Sequence, residues 1–374
     1  MSQNSILPTE LSRLITKAIA DAGGWIGFDT FMALALYAPG LGYYTNDLRK
    51  FGLMPGGQAG AGSDFVTAPE LSPYFGRTLA RQVAQALSAT GTTEVWEFGA
   101  GSGALAEQLL QTLQTLNMPL TRYTIVDVSG TLVARQRERL AAYGSTVQWA
   151  TTLPAAMRGV VVGNEVLDAM PVKLIARVNG VWHERGVVRH EGRFVHADKP
   201  TALRAPVEVP GTHDYLSEIH PQAEGFMRTL ADRLVQGAVL LVDYGFAEHE
   251  YYHPQRSTGT VMCHQGHLAD GDALVDVGRK DITAHVNFTG VALAAQDAGL
   301  QVLGYTSQGR FLLNAGLVEG AENATLAERA MLQKLVNEHE MGELFKVMAF
   351  AAKSSNGADW SPLGFAVGDR SHTL

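Results

Sequence analysis

Glu97-Phe98-Gly99-Ala100-Gly101-Ser102-Gly103 is the stretch on which the reading of this chain turns. It closes a short run with strand character, Glu94 to Phe98. It precedes Leu105, Leu109, Leu113 and Leu116, which recur at three- and four-residue spacing along one helix face. In such a strand, loop and helix, glycines let the backbone approach a nucleotide-like ligand closely, and the helix start offers free N–H groups. Three glycines at alternate positions are costly in a turn that only connects. The loop is therefore read as cofactor-binding, through Glu97, Gly99, Gly101 and Gly103.

Working outward, short β-branched or apolar runs alternate with helical patterns, the rhythm of a parallel sheet covered by helices. Tyr123 to Val128 reads as a second strand ending in an acid, Asp127, with Ser129 placed to cap the next helix. Gly159 to Gly163, Ala238 to Asp243 and Val302 to Tyr305 are further buried-strand candidates. Thr325 and Glu328 form a capping box before a last strand, Phe345 to Ala351. The expected fold is α/β, a Rossmann-like doubly wound sheet whose last strand runs antiparallel. Residues 1–90 are expected to form a helical N-terminal arm, with Ser72-Pro73 as cap and first turn before Tyr74, Phe75, Leu79 and Val83. Residues 91–353 form the main domain. Between its fourth and fifth strands lies an insertion of about 172–236, with a hairpin at Asn179-Gly180, and 354–374 are a C-terminal tail. Pro55 to Gly62 reads as a glycine-rich surface loop.

The loop spacing alone does not choose the cofactor, since Gly99-x-Gly101-x-x-Ala104 also satisfies the looser dinucleotide fingerprint, with Asp127 in reach of a ribose. Glu97 favours S-adenosyl-L-methionine over NAD: an acid beside the site is unwelcome to a diphosphate and welcome to a sulfonium or ammonium. Asn164-Glu165-Val166-Leu167-Asp168 follows an apolar strand, so its polar side chains should emerge at the carboxyl edge beside that loop. Glu165 and Asp168, three residues apart, could grip a guanidinium and orient one nitrogen toward a methyl donor. Asp243-Tyr244-Gly245 ends another strand and ranks second. His264-x-x-His267, with Cys263, Asp270 and Asp272 nearby, lacks the second regular pair of a zinc site, and no metal is expected.

Composition narrows the function classes. The 374 residues are 46% apolar and 18% charged, with 40 glycines, so this is a folded protein large enough to need no staples. A net charge of −8 argues against a nucleic-acid partner. One cysteine, Cys263, forbids an intramolecular disulfide, and neither a targeting leader nor an apolar run of membrane-spanning length is seen. A soluble cytoplasmic protein with no membrane insertion is the expectation. Whether it works alone or as a homodimer is left open.

Taken in order, Gly62 to Ser72, Phe75-Gly76, Glu97-x-Gly-x-Gly-x-Gly, Asn164-Glu165-x-x-Asp168-Ala169-x-Pro171, Asp243-Tyr244-Gly245, Gly259-Thr260, Asp281 to Phe288 and Gln308-x-x-Phe311-Leu312 resemble the MidA family, over about residues 24 to 317. Mitochondrial members of that family are arginine methyltransferases acting in respiratory complex I assembly. The resemblance implies a class I methyltransferase fold, S-adenosyl-L-methionine as methyl donor and a protein substrate, a complex I subunit among the candidates. It implies that the glycine loop, Asp127 and the Asn164-Glu165 corner face cofactor and substrate, and that Asp64 to Ser72 covers the site. Glu165, helped by Asp168 or Glu70, would hold the guanidinium. The rival reading is an assembly or binding factor that keeps the methyltransferase fold and does little chemistry; an NAD-dependent oxidoreductase is weaker.

Overall fold

The computed structural model describes residues 9–46, 67–266, 268–352 and 360–374. The Pro55–Gly62 loop, Asp64 to Val66 of the expected cover, and His267 lie outside the described residues. The chain forms two compact units. One gathers residues 49–168, 223–251 and 285–374; the other gathers 1–48, 169–222 and 252–284.

The first unit is built on seven principal strands: β1 (Glu94–Phe98), β2 (Arg122–Val126), β3 (Val147–Ala150), β4 (Met157–Asn164), β5 (Leu234–Phe246), β6 (Leu300–Ser307) and β7 (Phe345–Ala352). Their order across the sheet is β3-β2-β1-β4-β5-β7-β6, and a two-residue strand, Val286–Asn287, pairs with the end of β5. All neighbours are parallel except those of β7, which runs antiparallel to both β5 and β6, as the sequence predicts. Strand order reverses between β1 and β4, and ligands of open parallel sheets bind outside the carboxyl ends at such a point. The register aligns those ends: Phe98 lies opposite Val126 and Gly163, and Asn164 opposite Val242. Gly99, Asp127 and Glu165 consequently leave the sheet side by side, next to Asp243, which is still within β5 and paired in register with Lys346.

Helix periodicity explains the covering layers. α1 (Pro73–Thr90) starts at the predicted Ser72 cap, whose hydroxyl accepts the Tyr74 N–H, and it buries Tyr74, Phe75, Leu79, Val83 and Leu87. α2 (Ala104–Thr115) buries Leu105, Leu109 and Leu113 in the same core as Val160, Val162, Leu240 and Val347. Each such leucine contributes about 2 kcal/mol of burial. Leu116, read as a fourth member of that stripe, caps the helix and is 45% exposed, because α2 ends one residue earlier. α3 (Gly130–Arg139) begins at Ser129, which caps the Leu132 N–H. The Thr325–Glu328 capping box is present in full.

The second unit is an antiparallel sheet in the order Ile26–Gly27, Val181–His190, Lys173–Val178, Tyr215–Ile219, with Arg193–Pro200 added beside Val181–His190. Its hairpin turns at Asn179-Gly180, where φ is +50° and +79°. Glu10–Asp21 and Phe28–Tyr37 are its helices, and Leu11, Ile15, Ile19 and Phe31 share a core with Leu174, Val187 and Ile282.

That shared core moves the boundaries drawn from sequence. Residues 1–90 are not one arm: the first two helices belong with the insertion, whereas Ala68–Leu71 and α1 belong with the parallel sheet. The insertion ends at 222 rather than 236, and a second excursion, 252–284, joins it. The C-terminal residues pack in place, with Phe365 5.4 Å from Phe311 and Arg370 bridged to Glu343. Among the described residues no helix is long and apolar enough to cross a membrane.

Candidate active site

The site is assembled from the carboxyl ends of β1, β2, β4 and β5. After β1, Gly99, Gly101 and Gly103 all take positive φ, +63°, +54° and +82°, a conformation side chains rarely adopt. A Cβ on Gly99 would lie 3.4 Å from the Val166 side chain, so the loop passes directly over the β4 turn. Gly103 is the residue before α2, which turns that helix start toward the loop.

Glu97 is buried beneath the loop, and the Tyr123 hydroxyl donates to its carboxylate at 2.7 Å. Burial pushes the Glu97 carboxyl up to about 8, opposed by the Tyr123 bond and reinforced by Asp127. At neutral pH it therefore carries a proton for most of the time. This revises the expectation that Glu97 presents a standing negative charge: its attraction for a cation appears only as it ionises.

Asp127 sits just past β2. One oxygen accepts the Ser129 N–H at 2.9 Å and the other the Gln136 amide at 2.8 Å, while the Gln136 amide also reaches the Gly101 carbonyl. Burial pushes its carboxyl upward and these donors oppose it. Each carboxylate oxygen keeps a second lone pair for a ribose hydroxyl. Val128, next along, is 66% exposed, an apolar surface at the lip of the site that the strand reading concealed.

The β4 turn holds the most constrained residue. Glu165 has φ +54° without being glycine, and its N–H donates to the Val242 carbonyl at 2.9 Å. Such a conformation costs an L-residue about 1–2 kcal/mol and persists only where neighbours enforce it. Asn164 donates to Glu165 at 3.0 Å, and the buried Oδ1 of Asn164 has no hydrogen-bond partner among the described residues. An orphaned acceptor at the switch point fits a donor arriving with a ligand.

The enforcing neighbour is Asp243, which sequence reasoning ranked second. It is buried at the end of β5, and its Oδ2 accepts the N–H groups of Val166, Leu167 and Asp168 at 3.1, 2.8 and 3.3 Å. Its Oδ1 accepts the Tyr244 N–H at 3.0 Å. Burial, with Asp168 nearby, pushes its carboxyl up against these donors. Asp168 accepts the Tyr244 hydroxyl at 2.5 Å. Glu70 lies in Ala68–Leu71 and is hydrogen-bonded to Ser102 of the glycine loop; Arg139 reaches Ser102 at 2.6 Å and Glu70 at 3.4 Å. The structure thus sets Glu165 and Asp168 in one turn and docks Glu70 on the glycine loop.

Elsewhere, Asp270 pairs with Lys280 at 2.7 Å, and burial pushes the Cys263 thiol up to about 12.

Residues 78–306 match a family described as "Putative S-adenosyl-L-methionine-dependent methyltransferase". A Burkholderia thailandensis protein, solved bound to S-adenosyl-homocysteine, is 48% identical, covers 97% of this chain and 96% of its own, and superposes with a TM-score of 0.90. Curated relatives include "Protein arginine methyltransferase NDUFAF7, mitochondrial" of Danio rerio, 29% identical over 92% of this chain and 87% of its own. The human protein of that name is 27% identical over 85% and 78%. The glycine loop, the Asp127 carboxylate and the open Asn164 oxygen suit the nucleoside and amino-acid parts of that donor. The chain belongs to this family of S-adenosyl-L-methionine-dependent methyltransferases.

Proposed function

We propose that the chain is a protein arginine N-methyltransferase, and that a subunit of respiratory complex I, implied by the MidA resemblance, is the first acceptor to test. The observation that carries this reading is Glu165, locked in a left-handed turn at the carboxyl edge with the Asp168–Tyr244 pair in the same turn region. The relatives named arginine methyltransferases support it.

When bound, S-adenosyl-L-methionine would supply a methyl group on a cationic sulfur, open to a nucleophile, the sulfur–methyl bond breaking to leave the neutral thioether S-adenosyl-homocysteine. An arginine stays protonated, its pKa exceeding ~12, so no carboxylate strips it beforehand. Glu165 instead accepts guanidinium N–H groups, draws positive charge away from the attacking nitrogen and fixes that nitrogen's direction. Asp168, polarised by the Tyr244 hydroxyl, adds negative potential on the same side. As the methyl forms its bond to nitrogen, Glu165 is placed to receive the proton that nitrogen gives up. Glu70, through Ser102 and Arg139, steadies the glycine loop.

The test is radiolabelled methyl transfer into lysate from a strain lacking the protein, followed by amino-acid analysis of the labelled band. Methylarginine is expected. Glu165→Gln keeps the shape and removes the charge, so turnover should fall by about 100-fold while donor affinity stays within about threefold. Label on another residue, or full Glu165→Gln activity, rules the reading out. Donor binding with no label in any protein favours the assembly-factor alternative.

A further inference from the structure

Beyond the acids, the carboxyl edge carries a group of aromatic rings whose faces the mechanism leaves unused. Tyr244 and Phe246 alternate along the end of β5 and project to one side. His285, just before the Val286–Asn287 strand, packs between them: its centroid is 5.3 Å from Tyr244 at 78° and 5.1 Å from Phe246 at 55°. Phe345 backs Tyr244 at 5.3 Å and is buried, whereas Tyr244, Phe246 and His285 are only half-buried. Half-buried rings set at steep mutual angles present faces in more than one direction.

We propose that Tyr244, Phe246 and His285 form an aromatic seat for the planar cationic side chain of the substrate, next to the Asp168 carboxylate; this deepens the arginine reading and rests on it. A guanidinium is weakly hydrated and stacks on aromatic faces, whereas a compact ammonium is held better by point charges. The Tyr244 hydroxyl bond to Asp168 ties ring and carboxylate into one surface, so stacking and ion pairing act on the same ligand. Glu165 selects the reacting nitrogen; the seat selects the side chain.

The test uses the full chain saturated with S-adenosyl-homocysteine, titrated by NMR with Nα-acetyl-arginine amide, its lysine counterpart and the uncharged citrulline counterpart. Arginine should bind more tightly than either. Phe246→Leu and His285→Leu should each weaken arginine binding roughly three- to tenfold, and Phe246→Tyr, which keeps the ring, should retain it. Unchanged S-adenosyl-homocysteine affinity shows that the variants fold. Arginine bound equally by wild type and both leucine variants overturns the seat and leaves the arginine reading standing. Citrulline or lysine bound as well as arginine by the wild type overturns both.

Discussion

Asp243→Asn tests whether one buried carboxylate builds the turn after β4. In the wild type, Oδ2 accepts three consecutive N–H groups, of Val166, Leu167 and Asp168, and Oδ1 accepts a fourth, of Tyr244. Asparagine keeps one oxygen. If it faces the turn, its NH2 group meets the Tyr244 N–H, donor against donor; if it faces Tyr244, three turn donors lose their acceptor. The first arrangement costs less, about 1–3 kcal/mol for one unpaired buried N–H, and weaker bonds at the remaining oxygen bring the loss to roughly 2–4 kcal/mol. A unit of this size should then melt about 5–10 °C lower. Loosening the turn also frees Glu165 to leave its left-handed conformation, which is uphill by about 1–2 kcal/mol for an L-residue. Turnover should drop by about 100-fold, as expected when a reacting group is misplaced by about 1 Å, with donor affinity little changed. Melting curves, methyl-transfer kinetics and NMR amide exchange at Val166, Leu167 and Asp168 read the three consequences. An unchanged Tm, slow exchange at all three amides and wild-type turnover would refute the reasoning.

The remaining predictions probe the same corner. Glu165→Gly, free at φ +54°, should leave stability equal to or above wild type, while Glu165→Val should cost about 1–2 kcal/mol; equal Tm values for the two would show that the turn is not strained. Burial raises the Glu97 carboxyl from 4.5 to about 8, so the native state holds that proton more tightly than the unfolded chain. Its contribution to stability is complete below the unfolded value and fades as pH rises toward the folded one. Glu97→Gln, which keeps an oxygen for the Tyr123 hydroxyl, should flatten that decline, and melting curves with the same pH slope in both proteins would contradict it. Gly99→Ala places a methyl against Val166 in a left-handed position, at a cost of about 1 kcal/mol, and should weaken S-adenosyl-homocysteine binding several-fold by calorimetry.

The fold was legible because its signals are local. The strand–glycine–helix unit, the Ser72 and Ser129 caps, the Thr325–Glu328 box and the antiparallel last strand each follow from neighbours a few residues apart. The domain boundaries were not, because the helices of the first 46 residues bury their faces on strands 150 residues away, and no local pattern records which sheet will receive an apolar stripe. Of the site, Asn164, Glu165 and Asp168 could be found from their place after an apolar strand. The role of Asp243 could not. A strand-end aspartate before glycine reads as a turn former, and only the pairing of β5 with β4 brings its carboxylate under three amides 75 to 77 residues earlier.

Electrostatics gives these acids a common logic. Glu97, Asp127 and Asp243 are all shifted upward, and in each the leading cause is burial. Burial resists ionisation at all three, and at Glu97, pushed up to about 8, the ligand-free site holds latent rather than standing charge. A ligand carrying positive charge reverses that balance, since each carboxyl it stabilises gives up a proton as it binds. On the proposed arginine acceptor, methyl transfer from a sulfonium would bring two cations to this edge, and an acid cluster is what would allow both to approach. Asp127 and Asp243 use their oxygens on backbone and amide donors and so shape the edge. Glu165 is held in strain by that shaping, and Glu97, pushed up to about 8, is the group that holds a proton to release near neutral pH. Proton release on S-adenosyl-L-methionine binding, measured by calorimetry in buffers of different ionisation enthalpy, should therefore exceed that on S-adenosyl-homocysteine binding, and the difference should vanish in Glu97→Gln. Equal release with both ligands would mean that the sulfonium charge is not sensed by this carboxyl.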